Sequence, residues 1–193
     1  MNLFINYVSY PASAEQLKNK IELDGITDMQ LLDDYFFVNW TISPEAKEGD
    51  LVLFYHTKSA LERIKKVEEE AKQDKKLYKQ LKKHIDLSYE YFEKFGESIF
   101  AIGTVSSDPE VEENAFEFET HFKERCFANI NTVNLFENPI KAEEVKDFFD
   151  VKNHASKEAV EKEVAKKLFT FICDKNTLSF YYLNYIDLYK NEN

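Results

Sequence analysis

The chain has 193 residues, of which 44% are hydrophobic and 15% aromatic, and its formal net charge is −11. This composition supplies a core for one domain, predicted over residues 1–193, and excludes a disordered chain. The acidic balance disfavours a protein that coats nucleic acids in general, because phosphate binding depends on Lys and Arg.

The first part of the sequence predicts short elements separated by turns. Residues 3–10 are expected to form a strand, since they are apolar and aromatic and end at a proline. Ser13 and Thr27 are each followed by Gln three residues later, a capping pattern that predicts one helix to about residue 23 and a second, shorter one. The apolar stretch at residues 36–40 predicts another strand.

The segment from Lys58 to Glu97 is the strongest helical signal in the chain. Five of its residues recur every seven positions, namely Ile64, Ala71, Tyr78, Ile85 and Phe92. This stripe predicts one long helix or a helical hairpin that breaks at residues 73–74. The stripe must be covered, by the rest of the chain as the default or by a second copy in a homodimer. With eleven Lys and Arg against nine Asp and Glu, this segment or a small local patch is where a polyanion is expected to bind.

The second half predicts two further strands and two helices. Apolar runs at residues 99–105 and 126–135 indicate the strands. A short helix is predicted over residues 142–149, and Ser156 is predicted to cap a longer one with apolar residues at a spacing of four.

Two stretches remain open, residues 110–122, and the tail at residues 177–189, which fits a helix or a closing strand. Four or five strands interspersed with short helices predict an α+β domain built around a small curved β-sheet. Two cysteines, together with the lack of a secretion signal or of an apolar run of about 18 residues, predict a cytoplasmic protein with reduced thiols and no membrane partner.

Three segments occur in an order that is typical of one family. Gly49-Asp50 leads into the apolar run 51–55, followed by 101–105 and then by 138–145, which reads Asn-Pro-Ile-x-x-x-Glu-Val. This order resembles the EVE domain of the PUA-like superfamily, to which the YTH readers of methylated RNA also belong. The resemblance implies a compact barrel with peripheral helices, in which residues 58–97 form a peripheral helical insertion in place of a short hairpin. Replacing the insertion with a short turn is therefore expected to leave a folded domain.

The resemblance also implies a pocket that takes up a flipped base between aromatic and polar side chains. The family has Lys-Ser-Glu-Pro after its first strand, where this chain has residues 8–11, with Ser and Pro matching and Tyr10 at the Glu position. Six residues have the position and character for the pocket: Trp40, Asn39, Tyr55, His56, Tyr7 and Ser9. The alternative for Trp40, the single tryptophan, is plain core packing.

The predicted function is a non-catalytic module, without metal or cofactor, that binds DNA or RNA at a nucleobase, with a modified base favoured. In bacteria such domains often serve as specificity modules in restriction or defence systems. The alternative is a protein-interaction or assembly protein that acts through the helical insertion, and a more distant one is a small hydrolase on the same scaffold. Scattered histidines and four unclustered glycines provide no motif for a metal or a nucleotide phosphate.

Overall fold

A computed structural model of the chain describes residues 1–34, 37–111, 125–182 and 185. The strands are β1 (Leu3–Val8), β2 (Phe37–Ile42), β3 (Leu51–His56), β4 (Ser98–Val105), β5 (Glu110–Val111) and β6 (Cys126–Lys141). The helices are α1 (Ala14–Asp24), α2 (Asp28–Asp34), α3 (Ser59–Lys72), α4 (Lys75–Phe95), α5 (Ala142–Val145) and α6 (Lys162–Lys175).

The strands form one curled sheet in the order β1-β3-β4-β6-β2, with the two-residue β5 beside β6. The pair β1–β3 is parallel and the other pairs are antiparallel. The sheet curls far enough to bring its two ends together, because the Asn6 side chain on β1 bonds to the Thr41 carbonyl on β2 at 2.7 Å. The predicted α+β class with a small curved sheet is therefore confirmed.

The two faces of the sheet bury different clusters, since neighbouring residues of a strand point to opposite sides. One cluster joins strand residues such as Leu53 to α6, with Phe169 and Tyr182 fully buried in it. The other joins Phe54 and Phe100 to α2 and to the end of α4. Helices therefore cover both sides of the central strands β3 and β4.

The insertion is a helical hairpin of α3 and α4, one of the two predicted forms. It breaks at the predicted place, where Asp74 caps α4 by accepting hydrogen bonds from the backbone N–H groups of Lys76 and Leu77. Its apolar stripe packs against Ala14 and the fully buried Leu17 of α1, so the cover comes from the same chain.

Local capping signals also hold for the two helices before the insertion. The hydroxyl of Ser13 accepts from the Gln16 N–H at 3.2 Å and begins α1. Thr27 and Gln30 exchange hydrogen bonds of 3.1 and 3.4 Å and begin α2.

Several boundaries differ from those predicted. Strand β1 ends at Val8 rather than at residue 10, and β6 continues through Pro139 to Lys141. Pro139 is tolerated because β6 slips in register against β4 between the pairs Ala101–Leu135 and Ile99–Ile140.

The helices of the second half are also placed differently. Helix α5 ends at Val145, and α6 begins at Lys162 rather than after Ser156. The reason is that Val160 donates its N–H to the Leu3 carbonyl at 2.7 Å, so this stretch binds the sheet edge instead of entering the helix.

The two stretches that the sequence left open are described in part. Residues 180–182 and 185 are helical, which favours the helical alternative for that part of the tail. Glu110 and Val111 form β5, whereas residues 112–122 and most of the rest of the tail lie outside the described residues. Among the described helices, none has both the length and the apolar character needed to cross a membrane.

Candidate functional site

A small polar cavity lies between the ends of β1 and β3, the start of α2 and the helical hairpin. Its volume is about 10 Å³. Met29 and Ile64 are among its apolar lining residues, and its polar lining residues are Ser9, Tyr10, Thr27, Asp28, His56 and Ser88. We refer to it below as the polar cavity.

Parallel pairing of β1 with β3 explains why the two strand ends meet there. The register sets Val8 opposite His56, and the Thr57 N–H donates to the Val8 carbonyl at 3.0 Å. The chain therefore leaves β1 at Ser9 directly beside His56. The next residue, Tyr10, packs into the hairpin cluster together with Ile64 and brings its hydroxyl to the same place.

Three buried polar atoms of the cavity have no hydrogen-bond partner among the described residues. These are Ser9 Oγ, Tyr10 OH and His56 Nδ1. Each such group costs about 1–3 kcal/mol when buried without a partner, and native proteins contain few of them. Three of them around one cavity therefore indicate a site that takes up a polar group.

Two titratable side chains of the cavity, those of His56 and Tyr10, are neutral near pH 7. Burial lowers the pKa of His56 to about 4, against a smaller opposing effect of its backbone hydrogen bond with Thr57. Burial raises the pKa of Tyr10 to about 12, and the nearby Ser88 hydroxyl lowers it to a smaller extent. His56 and Tyr10 therefore offer uncharged donors and acceptors to the cavity.

Charged groups line the cavity or contact the loop that follows β1. The Asp28 carboxylate pairs with the Lys20 ammonium at 2.7 Å. Arg63 Nη1 donates to the Tyr10 carbonyl and Lys66 Nζ to the Ala12 carbonyl, each at 3.0 Å. Two cations of α3 thus flank the loop that follows β1.

Of the six residues predicted from the sequence, Ser9 and His56 come together in the polar cavity. Tyr7 and Tyr55 lie together on the opposite face of the sheet, with ring centroids 5.7 Å apart in an edge-on contact. The Tyr7 hydroxyl donates to the backbone, 2.6 Å from the Val151 carbonyl. The buried Tyr55 hydroxyl has no hydrogen-bond partner in the part of the chain that the structure describes.

The last two predicted residues lie on β2 and do not line the polar cavity. Trp40 is half-buried and packs edge-on against Phe54, with ring centroids 5.6 Å apart. Asn39 is exposed and donates from Nδ2 to Asn129 Oδ1 at 3.2 Å. The contact with Phe54 matches the core alternative for Trp40.

Sequence reasoning missed the contribution of the insertion to the site. Ile64 and Ser88 come from the hairpin, and Ser88 is 4% exposed. A signal was available, because Ser88 is a polar residue that interrupts the apolar stripe of the insertion. Tyr10, the residue that departs from the family pattern, is the other addition.

A metal centre receives no support from the geometry. Among the described residues, no three His, Cys, Asp or Glu side chains are grouped so that they could hold a metal ion.

Comparison with known proteins gives two distant structural neighbours. No protein-family model matches the chain, and no curated protein matches it either. The crystal structure of protein PSPTO5229 from Pseudomonas syringae is similar over 88% of this chain and 99% of its own, at 13% identity and a TM-score of 0.47. The NMR structure of Rpa0253 from Rhodopseudomonas palustris is similar over 91% of this chain and 93% of its own, at 12% identity and a TM-score of 0.39. At these values neither likeness carries an argument about function.

Proposed function

We propose that the protein is a non-catalytic module of the PUA-like, EVE-like type that binds a nucleobase in DNA or RNA, with a modified base favoured, through the polar cavity. The observation that carries this proposal is the convergence of Ser9 Oγ, Tyr10 OH and His56 Nδ1, all buried and without partners among the described residues. A base edge that hydrogen-bonds to these atoms would satisfy them in place of solvent.

The chemistry of the lining suits the edge of a nucleobase. Base edges are neutral and present donors and acceptors side by side, and the hydroxyls of Ser9 and Tyr10 can act as either. His56 remains neutral because burial lowers its pKa to about 4, so it places no charge against the base. The Tyr10 and His56 rings supply the aromatic surface, a role that the sequence assigned to Trp40.

Entry of a whole base requires the lining to move. A cavity of about 10 Å³ accommodates a group the size of one water, which is far smaller than a base. Met29 of α2 is the lining residue best suited to move, because its side chain is unbranched and has three rotatable bonds. The polar edge of the base would reach Ser9 and His56 once Met29 has swung outward.

The cations beside the loop after β1 support binding of a nucleic-acid backbone at this place. Arg63 and Lys66 both contact backbone carbonyls of that loop and are themselves exposed residues of α3. Glu70 offsets part of this charge, since its carboxylate lies 3.6 Å from Lys66 Nζ. In a chain of net charge −11, two cations at one position favour a short, local contact with phosphate over a long groove.

The test is a titration of labelled DNA and RNA oligonucleotides that carry either unmodified or methylated bases, at fixed salt. We expect at least one class to bind, and Ser9→Ala to weaken that binding about tenfold, as the loss of one hydrogen bond predicts. Asn39→Ala is the matched control, because Asn39 was predicted from the sequence but lies exposed on β2. Failure of the folded wild-type chain to bind every oligonucleotide, or equal losses in the two variants, would refute the proposal.

The two alternative functions, assembly and hydrolysis, each require a specific structural feature. An assembly role for the insertion needs an exposed stripe, whereas the stripe packs against Leu17 of α1. A hydrolase needs a carboxylate and a lysine that converge in the cavity; Asp28 lines the cavity and pairs with Lys20 at 2.7 Å, but Lys20 is not among the lining residues.

A further inference from the structure

We infer that the polar cavity binds one ordered water molecule, which links the helical hairpin to the ends of β1 and β3. The polar groups come from three separate parts of the fold: Ser9 and Tyr10 after β1, His56 at the end of β3 and Ser88 on α4. This inference does not depend on the proposed function, since the water would stabilise the folded chain whether or not a base binds.

The size of the cavity selects the ligand. A volume of about 10 Å³ matches the room that a single water needs, roughly 10–15 Å³. Buried waters typically make two to four hydrogen bonds to polar groups that are otherwise unsatisfied. Six polar side chains line this cavity, and three of them have buried atoms without partners among the described residues.

The donors and acceptors balance for a water molecule. Ser88 Oγ donates its proton to the His84 carbonyl at 2.6 Å, so its lone pairs remain for a donor. His56 Nδ1 can accept a hydrogen bond when the neutral ring carries its hydrogen on Nε2. The water thus donates to Ser88 and His56 and accepts from the hydroxyls of Ser9 and Tyr10.

The same groups argue against an ion in this position. Three of them, Ser9, Tyr10 and Ser88, are hydroxyls, and His56 remains neutral because it is 2% exposed. The carboxylate of Asp28, which also lines the cavity, is engaged in an ion pair with Lys20 at 2.7 Å, and Lys20 also pairs with Asp24 at 2.9 Å. A neutral molecule with two donors and two acceptors therefore fits better than a cation or an anion.

The direction in which two substitutions shift the urea midpoint of unfolding tests the inference in the full-length chain. If water fills the cavity, Tyr10→Phe and Ser9→Ala each remove a hydrogen bond, and the urea midpoint of unfolding falls. If the cavity is dry, each variant removes an unsatisfied buried hydroxyl, and the midpoint rises. Tyr182→Phe is the matched control, because the buried Tyr182 hydroxyl donates to the Ile102 carbonyl at 3.2 Å and its loss should lower the midpoint in either case.

A crystal structure at high resolution supplies the direct measurement. In the wild-type chain we expect a density peak within hydrogen-bond distance of at least three of the side chains of Ser9, Tyr10, His56 and Ser88. A rise in the midpoint for Tyr10→Phe and Ser9→Ala, or a cavity without such a peak, would overturn the inference. Either result would be distinct from a failure of oligonucleotide binding, which is measured separately.

Discussion

Asn6 on β1 donates a hydrogen bond from its side-chain amide to the backbone carbonyl of Thr41 on β2, at 2.7 Å, although three strands separate β1 from β2 in the sheet. Asn6 is 5% exposed and lies opposite Phe54 in the parallel pair, on the face of the sheet that also carries Phe4 and Val8. This single side chain therefore bridges the two ends of the curled sheet, where the backbone does not complete the ladder.

The first prediction concerns this bridge. Asn6→Ala should lower the free energy of unfolding by about 1–3 kcal/mol, because it removes the donor and leaves the Thr41 carbonyl without it. Asn39→Ala on β2 is the control and should change the free energy by less than about 0.5 kcal/mol, since Asn39 is exposed. Urea unfolding of both variants makes the measurement. Equal effects would mean that the bridge does not hold the sheet ends together.

The second prediction concerns the pH dependence that His56 imposes. Its pKa is lowered by burial from 6.5 to about 4, so the folded state disfavours the protonated ring. The unfolded chain binds this proton as pH falls below about 6.5, and stability is lost from there down to about pH 4, by up to about 3 kcal/mol. His56→Gln should remove this loss, so its stability should approach or exceed that of the wild type as pH falls.

The comparison between variants isolates His56 from the carboxylates that titrate in the same range. His84 is half-buried, and burial and the nearby Lys83 lower its pKa as well. His84→Gln should therefore flatten the pH dependence less than His56→Gln does. Parallel pH profiles for wild type and His56→Gln would show that His56 is not buried as a neutral ring.

Sequence reasoning succeeded where the signal is local. Helix α3 ends at Lys72 and Asp74 caps α4, so the break of the insertion could be predicted from a few adjacent residues. Apolar runs located β3 and β4 for a similar reason. The predicted start of α6 was wrong, because the Val160 N–H donates to the carbonyl of Leu3. Leu3 lies 157 positions earlier in the sequence, and no local pattern reveals such a contact.

The geometry of the strands explains why the six residues predicted from the sequence do not form one site. Tyr55 and His56 are neighbours in β3, so their side chains must point to opposite faces, and a pocket on one face cannot use both. Ser9 lies beyond the end of β1, where this alternation no longer applies, and it joins His56 rather than Tyr7. The contribution of Ser88 depends on how the hairpin docks, which only tertiary packing decides.

The third prediction separates the two roles considered for Trp40. Its edge-on contact with Phe54 and half-buried position lead us to expect that Trp40→Ala costs about 2–3 kcal/mol of stability, somewhat less than a fully buried Trp would. Any oligonucleotide that binds the polar cavity should bind Trp40→Phe with nearly unchanged affinity. The measurements are thermal melts and titrations that monitor a label on the oligonucleotide. A variant that melts normally but loses binding would restore Trp40 to the site.

The fourth prediction concerns the hairpin, whose replacement by a short turn the sequence suggested would leave a folded domain. The contacts argue otherwise, because the hairpin covers Leu17 and Tyr10 and contributes Phe95 to the cluster on the sheet. We expect a chain in which a short glycine-containing turn replaces residues 59–95 to lose cooperative urea unfolding and its dispersed amide NMR signals.

A matched control keeps the hairpin and changes only its tip. Three glycines inserted between Gln73 and Asp74 lengthen the turn while preserving both helices, and loop-closure entropy makes such insertions inexpensive, at well under about 1 kcal/mol. This variant should unfold cooperatively near the wild-type midpoint. Cooperative unfolding of the chain without the hairpin would instead establish the insertion as peripheral. In that case other residues would have to cover Leu17, and the fold would not require Ser88.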